Sequence, residues 1–337
     1  MISSPLDLTV IIPNYNTRAL LRNCIESIYR YTEGVTFEVI CVDGNSPDGS
    51  AAMVAQEFPD VILVRNASNE SYARSVNQGL RLARGRYACL LDSDTLLIEN
   101  AFAPLVHFMD EHPDAAVCGP RLLNPDGSVQ HHIRSFAGMK VFFLQTLNWH
   151  KLFPNNQQMN RYYNTDFDYS KVQTVESIGT SAYVLRRSTW ETVGLLDENF
   201  RWSMPDIAYN YTLHKRGYKL YYVPSVSVMH FGGQTASQDV LRSLREQRRA
   251  LIYFSERYNY FGKSRFLKAV VRFGVHVRYY SKVLGYYLSS DKRVIKGPGA
   301  PPKEIAAQRV GANAHAAGGK KLEKVPVGPL SQPGSDA

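Results

Sequence analysis

The sequence predicts an α/β fold, a mostly parallel sheet flanked by helices, and three observations carry that prediction. Short runs rich in β-branched residues stand at residues 8–12 (LTVII) and 37–42 (FEVICV). Between them Leu20, Leu21, Cys24, Ile25 and Ile28 recur at helical spacing, which makes the segment a strand–helix–strand unit. The alternation then repeats downstream, and strands apolar on both faces need helices on both sides of the sheet, the condition under which parallel sheets occur.

The elements follow in order. A helix begins after Ser50, a strand is expected at 61–64 (VILV), a helix at 71–83 and a strand at 86–91 (RYACLL). Past residue 98 the pattern loosens into a helix over 99–111, a strand at 115–118 (AAVC) and the turn sequence NPDG at 124–127, with Pro and Gly in turn-favouring places. Residues 130–173 are rich in aromatics, Asn, Gln and His without clear period, so they read as helix plus long loops over one face. Order resumes with a strand at 182–186 (AYVLR), a helix at 206–216 and strands at 219–223 and 226–229. Residues 238–288 read as mostly helical. From about 291 the chain is dominated by Gly, Ala, Pro and Lys, a composition that cannot bury a core. The expected organisation is one α/β domain over 1–237, a helical region over 238–290 and a disordered tail over 291–337.

Composition narrows the function classes. With 337 residues and 44% hydrophobic content the chain can bury a proper core. The start, MISSPLDLTVIIP, carries no basic n-region and no long apolar run, so no export signal is expected. The least polar long stretch, 219–238, contains Ser, Gly, Gln and His, so no membrane-spanning helix is expected either. Cys24, Cys41, Cys89 and Cys118 are widely scattered and read as small hydrophobes in a reducing cytoplasm. The net charge of +9 favours an anionic partner: nucleic acid, an anionic membrane surface or a phosphorylated substrate. The basic residues are not attached to a recognisable nucleic-acid-binding motif, which argues against the first. A dinucleotide-dependent oxidoreductase is disfavoured as well, because PNYNTR follows the first strand where a Gly-x-Gly-x-x-Gly turn would be needed.

Polar residues close three of the apolar strands. The first ends in PNYN (Pro13 to Asn16), the second in Asp43 of VDGNSPDGS, and the fourth in Asp92 and Asp94 of LLDSDTLL. In an open α/β sheet, ligands bind beyond the carboxyl ends of the strands, so three such endings on one edge describe a pocket. An isolated Asp-x-Asp reads equally as a helix cap or a solvated turn. At a strand end, two carboxylates one residue apart can present oxygens to one hard cation and leave its other sites for water and phosphate. Asp43 is a turn residue or an acceptor for a pyrimidine N–H and a ribose hydroxyl, and Asn14 and Asn16 serve the same nucleoside or the loop alone.

Together the runs VIIPNYN, EVICVDGNSPDGS, NESYARSVNQGL, RYACLLDSDTLL, GPRLLNPDGSVQH, YVLRRSTWETVGLLDENF, RGYKLYYVPSVSVMHFGGQT and REQRRALIYF resemble a family-2 glycosyltransferase of the GT-A fold, in its rhamnosyltransferase-like branch. They keep the family's order over residues 8 to about 254. The resemblance implies a Rossmann-like nucleotide-sugar-binding and catalytic domain over 1–237. It further implies inverting transfer of a sugar from a UDP- or dTDP-linked donor to an acceptor hydroxyl, in cell-surface polysaccharide or glycolipid synthesis. Carried onto this sequence, it assigns Pro13, Asn14, Tyr15, Asn16, Asp43, Asn77 and Asp92 to the donor, and Asp92, Asp94 and His230 to Mn²⁺ or Mg²⁺. Asp206 becomes the general base. The family's Glu-Asp-x-Asp pattern departs here in MPDIAYNYTLHKRGY, where Pro205 and Ala208 replace the flanking carboxylates. That departure keeps a second reading open, a catalytically silent member that binds a sugar nucleotide or glycan. The implied acceptor is a glycan or lipid-linked glycan, with no nucleic acid involved. In 263–288, Lys268, Arg272 and His276 fall four apart among Phe266, Val270, Phe273, Val277 and Leu284. This helix either packs on the catalytic domain or lies on an anionic leaflet, which would place the protein peripherally at the inner face of the membrane.

Overall fold

The computed structural model describes residues 6–146, 157–232 and 239–288, and all of these fall in one compact unit. β1 (Leu8–Asn14), α1 (Arg18–Tyr31) and β2 (Phe37–Asp43) form the first parallel unit, followed by α2 (Ser50–Glu57), β3 (Ile62–Arg65), α3 (Tyr72–Leu82) and β4 (Tyr87–Leu91). The chain then runs through β5 (Thr95–Leu97), α4 (Phe102–Glu111), β6 (Ala115–Leu123), α5 (Met139–Thr146), α6 (Gln157–Tyr163), β7 (Gln173–Val175) and β8 (Ala182–Arg186). It ends with α7 (Arg187–Val193), α8 (Pro205–Lys215), β9 (Lys219–His230), α9 (Val240–Arg257) and α10 (Arg265–Leu288). The strands lie in the order β3-β2-β1-β4-β8-β6-β9-β5, with β7 also paired to β9.

The first four strands are mutually parallel; β8 runs antiparallel between β4 and β6. Period-two alternation divides the core between the two faces. Val10 and Ile12 pack with Leu21, Cys24, Ile25 and Ile28 of α1 and with Phe102 and Leu105 of α4. Ile11 points the other way, onto Val76 and Leu80 of α3, in a cluster that also holds Tyr209 and Leu213 of α8. A Cβ added at Gly79 would overlap the Ile11 side chain, so α3 sits as close to β1 as it does only because that position is glycine. All four cysteines are buried free thiols in this core.

Two features differ from the sequence expectation. The two strands expected at 219–223 and 226–229 are one strand, β9. Pro224 has no N–H to give to a ladder, and the register jumps there from Val223↔Pro120 to Ser227↔Arg121 before pairing continues. The short β5, β7 and α7 carry too few residues to show a period. In β5, Thr95–Leu97 pairs antiparallel with the end of β9, and Leu96 is only partly buried while Leu97 is fully buried. The expected tail over 291–337, with the boundary at 237/238, lies outside the described residues.

The helical region packs on the sheet domain through two small apolar clusters. Phe254 and Ala250 of α9 meet Ala208 of α8 and Phe200, while Val271 and Val275 of α10 meet Phe142 of α5. Lys268 Nζ donates to the Glu256 carbonyl at 3.2 Å and Arg272 pairs with the Glu256 carboxylate, so these two basic residues bind α10 to α9. The face turned to solvent is apolar instead. Phe266 is 78% exposed, Phe273 72%, Tyr280 60%, Leu284 59% and Leu288 76%. No described helix is long and apolar enough to cross a membrane.

Candidate active site

The order β2-β1-β4 sets three polar strand ends side by side. Asn14 stands opposite Asp43 in the β1–β2 register, and Asp92, Ser93 and Asp94 follow β4 on the other flank of β1. Hydrogen bonds join the three ends. Asn14 Nδ2 donates to Asp43 Oδ1 at 2.7 Å and to Ser46 Oγ at 3.2 Å, and Asn14 Oδ1 accepts from Thr17 Oγ1 at 2.6 Å. Thr17 Oγ1 in turn lies 2.8 Å from Ser93 Oγ, in the middle of the Asp-x-Asp turn. Asp43 also accepts from Ser46 N at 2.9 Å and from Ser46 Oγ at 2.7 Å. Three donors thus orient this buried carboxylate, and one Oδ2 lone-pair site remains over for another donor. Pro13 and Tyr15 are partly exposed on the same rim. Asn16 takes a left-handed backbone with φ 57°, and its N–H donates to Ser46 Oγ at 3.0 Å.

The Asp-x-Asp turn is closed by Thr95, whose N–H and hydroxyl both donate to the Asp92 carbonyl, at 3.1 and 2.6 Å. Immediately after it, β5 pairs with β9 so that Thr95 lies opposite His230. That register brings a histidine from 136 residues downstream onto the two aspartates. His230 Nε2 lies 3.4 Å from Asp94 Oδ1 and 3.7 Å from Asp92 Oδ2, and one ligand atom from each residue falls within 4.8 Å of the others. On the far side of the ring, His230 Nδ1 lies 2.7 Å from Gln130 Oε1. Gln130 Nε2 donates to the His230 carbonyl at 3.4 Å, which can only accept, so Oε1 is the atom left to face the ring. Nδ1 therefore carries the proton, and Nε2 is aimed at the carboxylates as a ligand atom, the arrangement of metal-binding imidazoles.

Electrostatics agree with a divalent cation in this place. Burial, and then the charge of Asp94, push the Asp92 carboxyl well above the usual carboxylate range, relieved in part by His230. Burial pulls the His230 imidazole down, but its hydrogen bond to Asp94 and the charges of Asp94 and Asp92 outweigh it, and the balance is upward. Two crowded carboxylates and one imidazole are a donor set suited to Mn²⁺ or Mg²⁺, and a cation would relieve the repulsion that raises Asp92.

Asp206 stands in the first turn of α8, after Met204 in a left-handed conformation with φ 70° and Pro205 at the helix start. It lines a cavity of about 330 Å³ together with His132, Ser177, Gly179 and Met204. Burial raises its carboxyl pKa, against backbone N–H groups that lower it. Its charge contributes, as the weakest of the causes given, to the upward shift of Asp92. At the start of α3, burial first, then the charge of Asp92 and, more weakly, that of Asp206, push the Tyr72 phenol up. The two departures from the family pattern have a packing reason. Ala208 is 1% exposed within the Phe200–Ala250–Phe254 cluster, and Pro205 is buried at the first position of the helix, where its missing N–H leaves no bond unmade.

Asn77 is not brought to this group by its side chain. Its Nδ2 donates to the Leu196 carbonyl and to Glu198 Oε1, each at 2.9 Å, and its Oδ1 accepts from Leu196 N at 3.0 Å. The amide braces the 196–198 segment against α3. Gln130, Thr17, Ser46, Ser93 and Tyr72 are the site residues that sequence reasoning did not single out. Gln130 had a local signal, as a polar residue closing the NPDGSVQ turn, and Ser46 and Ser93 stood inside the VDGNSPDGS and LLDSDTLL runs.

The profile described as Glycosyl transferase family 2 matches residues 9–178, about half of the chain, and the chain belongs to that family of glycosyltransferases. The N-acetylglucosaminyl-diphospho-decaprenol L-rhamnosyltransferase of Mycobacterium tuberculosis (strain ATCC 25618 / H37Rv) is 24% identical over 265 residues, 75% of this chain and 85% of that protein. The minor teichoic acid biosynthesis protein GgaB of Bacillus subtilis (strain 168) is 37% identical over 110 residues, 32% of this chain and only 12% of GgaB. Among solved structures, the mannosyltransferase PcManGT from Pyrobaculum calidifontis, in complex with GDP-Man and Mn²⁺, superposes with a TM-score of 0.51 at 16% identity. That match covers 94% of this chain and 82% of PcManGT, and it supports the GT-A fold.

Proposed function

We propose that the protein transfers a sugar, with inversion, from a UDP- or dTDP-linked donor to a hydroxyl of a glycan or lipid-linked acceptor in cell-envelope polysaccharide synthesis. The observation that carries this reading is the convergence of Asp92, Asp94 and His230 within 4.8 Å beside the Asn14–Asp43 strand ends. Asp43, held by Asn14 and Ser46, receives the base and ribose, with Pro13, Tyr15 and Asn16 on the rim. Asp92, Asp94 and His230 hold Mn²⁺ or Mg²⁺, which supplies Lewis-acid stabilisation of the departing diphosphate. Asp206, across the cleft, takes the proton from the acceptor hydroxyl as it attacks the anomeric carbon. The teichoic acid and decaprenol-linked relatives support an envelope acceptor, and the PcManGT complex supports a nucleotide sugar with Mn²⁺. A thermal-shift screen of nucleotide sugars should raise the melting temperature for one donor class only when Mn²⁺ or Mg²⁺ is present, since a ligand of the native state alone stabilises it. Equal melting curves with and without metal for every donor would remove the reading. Release of free sugar from that donor separates an enzyme from a silent binder.

The same reading places the protein peripherally at the inner face of the membrane, with the exposed apolar face of α10 in an anionic leaflet. The exposed face presents Phe266, Phe273, Tyr280, Leu284 and Leu288 on a helix without Asp or Glu, a surface suited to insertion at an interface. Phe273→Ser with Leu284→Ser, both at exposed positions, should lower the fraction sedimenting with phosphatidylglycerol vesicles about tenfold or more, given roughly 1.5–3 kcal/mol for each large apolar side chain buried. Unchanged sedimentation would dismiss the membrane placement.

A further inference from the structure

The cavity that Asp206 lines contains four cationic side chains, Arg134, Arg248, Arg278 and Lys282, against that single carboxylate. Arg278 and Lys282 come from α10, and Arg248 comes from α9 with its guanidinium over the Tyr279 ring at 4.4 Å. Among the described residues, no acidic side chain pairs with Arg248, Arg278 or Lys282; the polar partner of Arg278 is Gln145 Oε1 at 2.8 Å. Their surroundings are apolar and aromatic, with Phe142, Phe261, Tyr260 and Val275 in the same wall. Burial lowers the Arg278 pKa, and burial with the charge of Arg278 brings Lys282 down to about 8. Partly desolvated cations that outnumber the one carboxylate in their cavity are costly, and a fold that keeps them beside the proposed base holds a place for an anion. Several cations facing one volume match a multiply charged, multi-oxygen group, and guanidinium forks suit phosphate in particular.

The geometry of α10 says what else that ligand carries. At 3.6 residues per turn, Val275, Arg278, Tyr279 and Lys282 face the cavity, while Phe273, Val277, Tyr280 and Leu284 lie on the opposite side of the helix and are exposed. One helix thus separates the cavity from the surface read above as membrane-facing. We infer that Arg248, Arg278 and Lys282 bind the phosphate of a lipid-borne ligand whose polar end reaches Asp206. In the proposed reaction this ligand is the acceptor, its phosphate held here while its sugar hydroxyl meets the base. The inference rests on Asp206 marking the acceptor side of the cleft, and the test is arranged to fail separately from that reading.

The probe is farnesyl diphosphate, titrated calorimetrically into the full chain in EDTA so that the Asp92–Asp94–His230 cluster holds no metal. Binding should be saturable, and farnesol, which lacks the diphosphate, should not reproduce it. Arg278→Gln with Lys282→Gln should weaken the affinity tenfold or more while keeping the wild-type circular dichroism and Mn²⁺-dependent UDP binding. If the double variant does not fold, Arg248→Gln, which removes one guanidinium from the wall, should weaken the same affinity several-fold. Phosphatidylglycerol vesicles distinguish the sources of the phosphate. Unchanged sedimentation of the double variant assigns the site to the acceptor, and a loss matching that for farnesyl diphosphate assigns it to a bilayer headgroup. Equal affinity of wild type and variants for farnesyl diphosphate, or farnesol binding as tightly, would overturn the inference, even with metal-dependent nucleotide binding intact.

Discussion

Asp94→Ala will abolish metal-dependent donor binding and leave the fold standing. The Asp94 side chain is 11% exposed, and its Oδ1 faces His230 at 3.4 Å, so its carboxylate serves the cluster and not the core. The turn itself survives the change. Its closing bonds run from Thr95 to the Asp92 carbonyl and from Phe231 N to the Asp94 carbonyl at 2.9 Å, all to backbone acceptors that alanine retains. Losing even an outer partner of a metal ligand costs roughly 10–100-fold in metal affinity, so loss of a direct ligand should weaken Mn²⁺ binding by at least that much. Calorimetry with a nucleotide sugar, with and without Mn²⁺, reads it, and a variant that binds donor as the wild type does in Mn²⁺ would refute the cluster. The wild type adds a pH signature. Because the balance of effects on His230 is upward, its Nε2 stays protonated to a higher pH than a free imidazole. A proton there competes with the metal, so Mn²⁺ affinity should fall as pH drops through that raised pKa and recover above it.

Much of this site was legible in the sequence because its acids sit where strands end. The runs LTVII, FEVICV and RYACLL are continuous enough to fix β1, β2 and β4, and once those strands are neighbours, Asn14, Asp43 and Asp92 must share an edge. His230 was assigned only by resemblance. What physically brings it to Asp94 is the pairing of the three-residue β5 with the end of β9, and three residues have no period to detect. Pro224 hid the same strand by reading as a break, where the structure absorbs it in a bulge. Asn77 shows the opposite failure. Its motif was visible, but a buried amide whose partners lie 119 residues away cannot be told from a ligand-binding amide until those partners are seen. The basic residues of α10 divide similarly: spacing grouped Lys268 with Arg272, and only tertiary packing separates this pair, tied to Glu256, from Arg278 and Lys282 in the cavity wall.

Asp206→Asn will reduce sugar transfer by roughly 10²–10⁴-fold, the usual contribution of a general base, or at least about 2.7 kcal/mol at 1.36 kcal/mol per tenfold. Donor affinity should stay near wild type, since the contacts proposed for the nucleotide lie on β1, β2 and the Asp-x-Asp turn. Asn keeps the shape of the side chain at the first turn of α8, where burial already disfavours the charge, so a folding defect is not expected. The pH dependence follows from the same burial. A carboxylate whose pKa is raised stays protonated, and therefore idle as a base, to a higher pH than an exposed aspartate, so the wild-type rate should rise with pH through that raised value. Asn cannot titrate, and the residual rate of the variant should lose this limb. The flanking positions sharpen the test. With proline buried at 205 and alanine packed at 208 against Phe200, Ala250 and Phe254, neither neighbour supplies a substitute carboxylate, so the full loss falls on one residue. A variant that transfers sugar at the wild-type rate with the acidic limb intact would place the base elsewhere in the cleft.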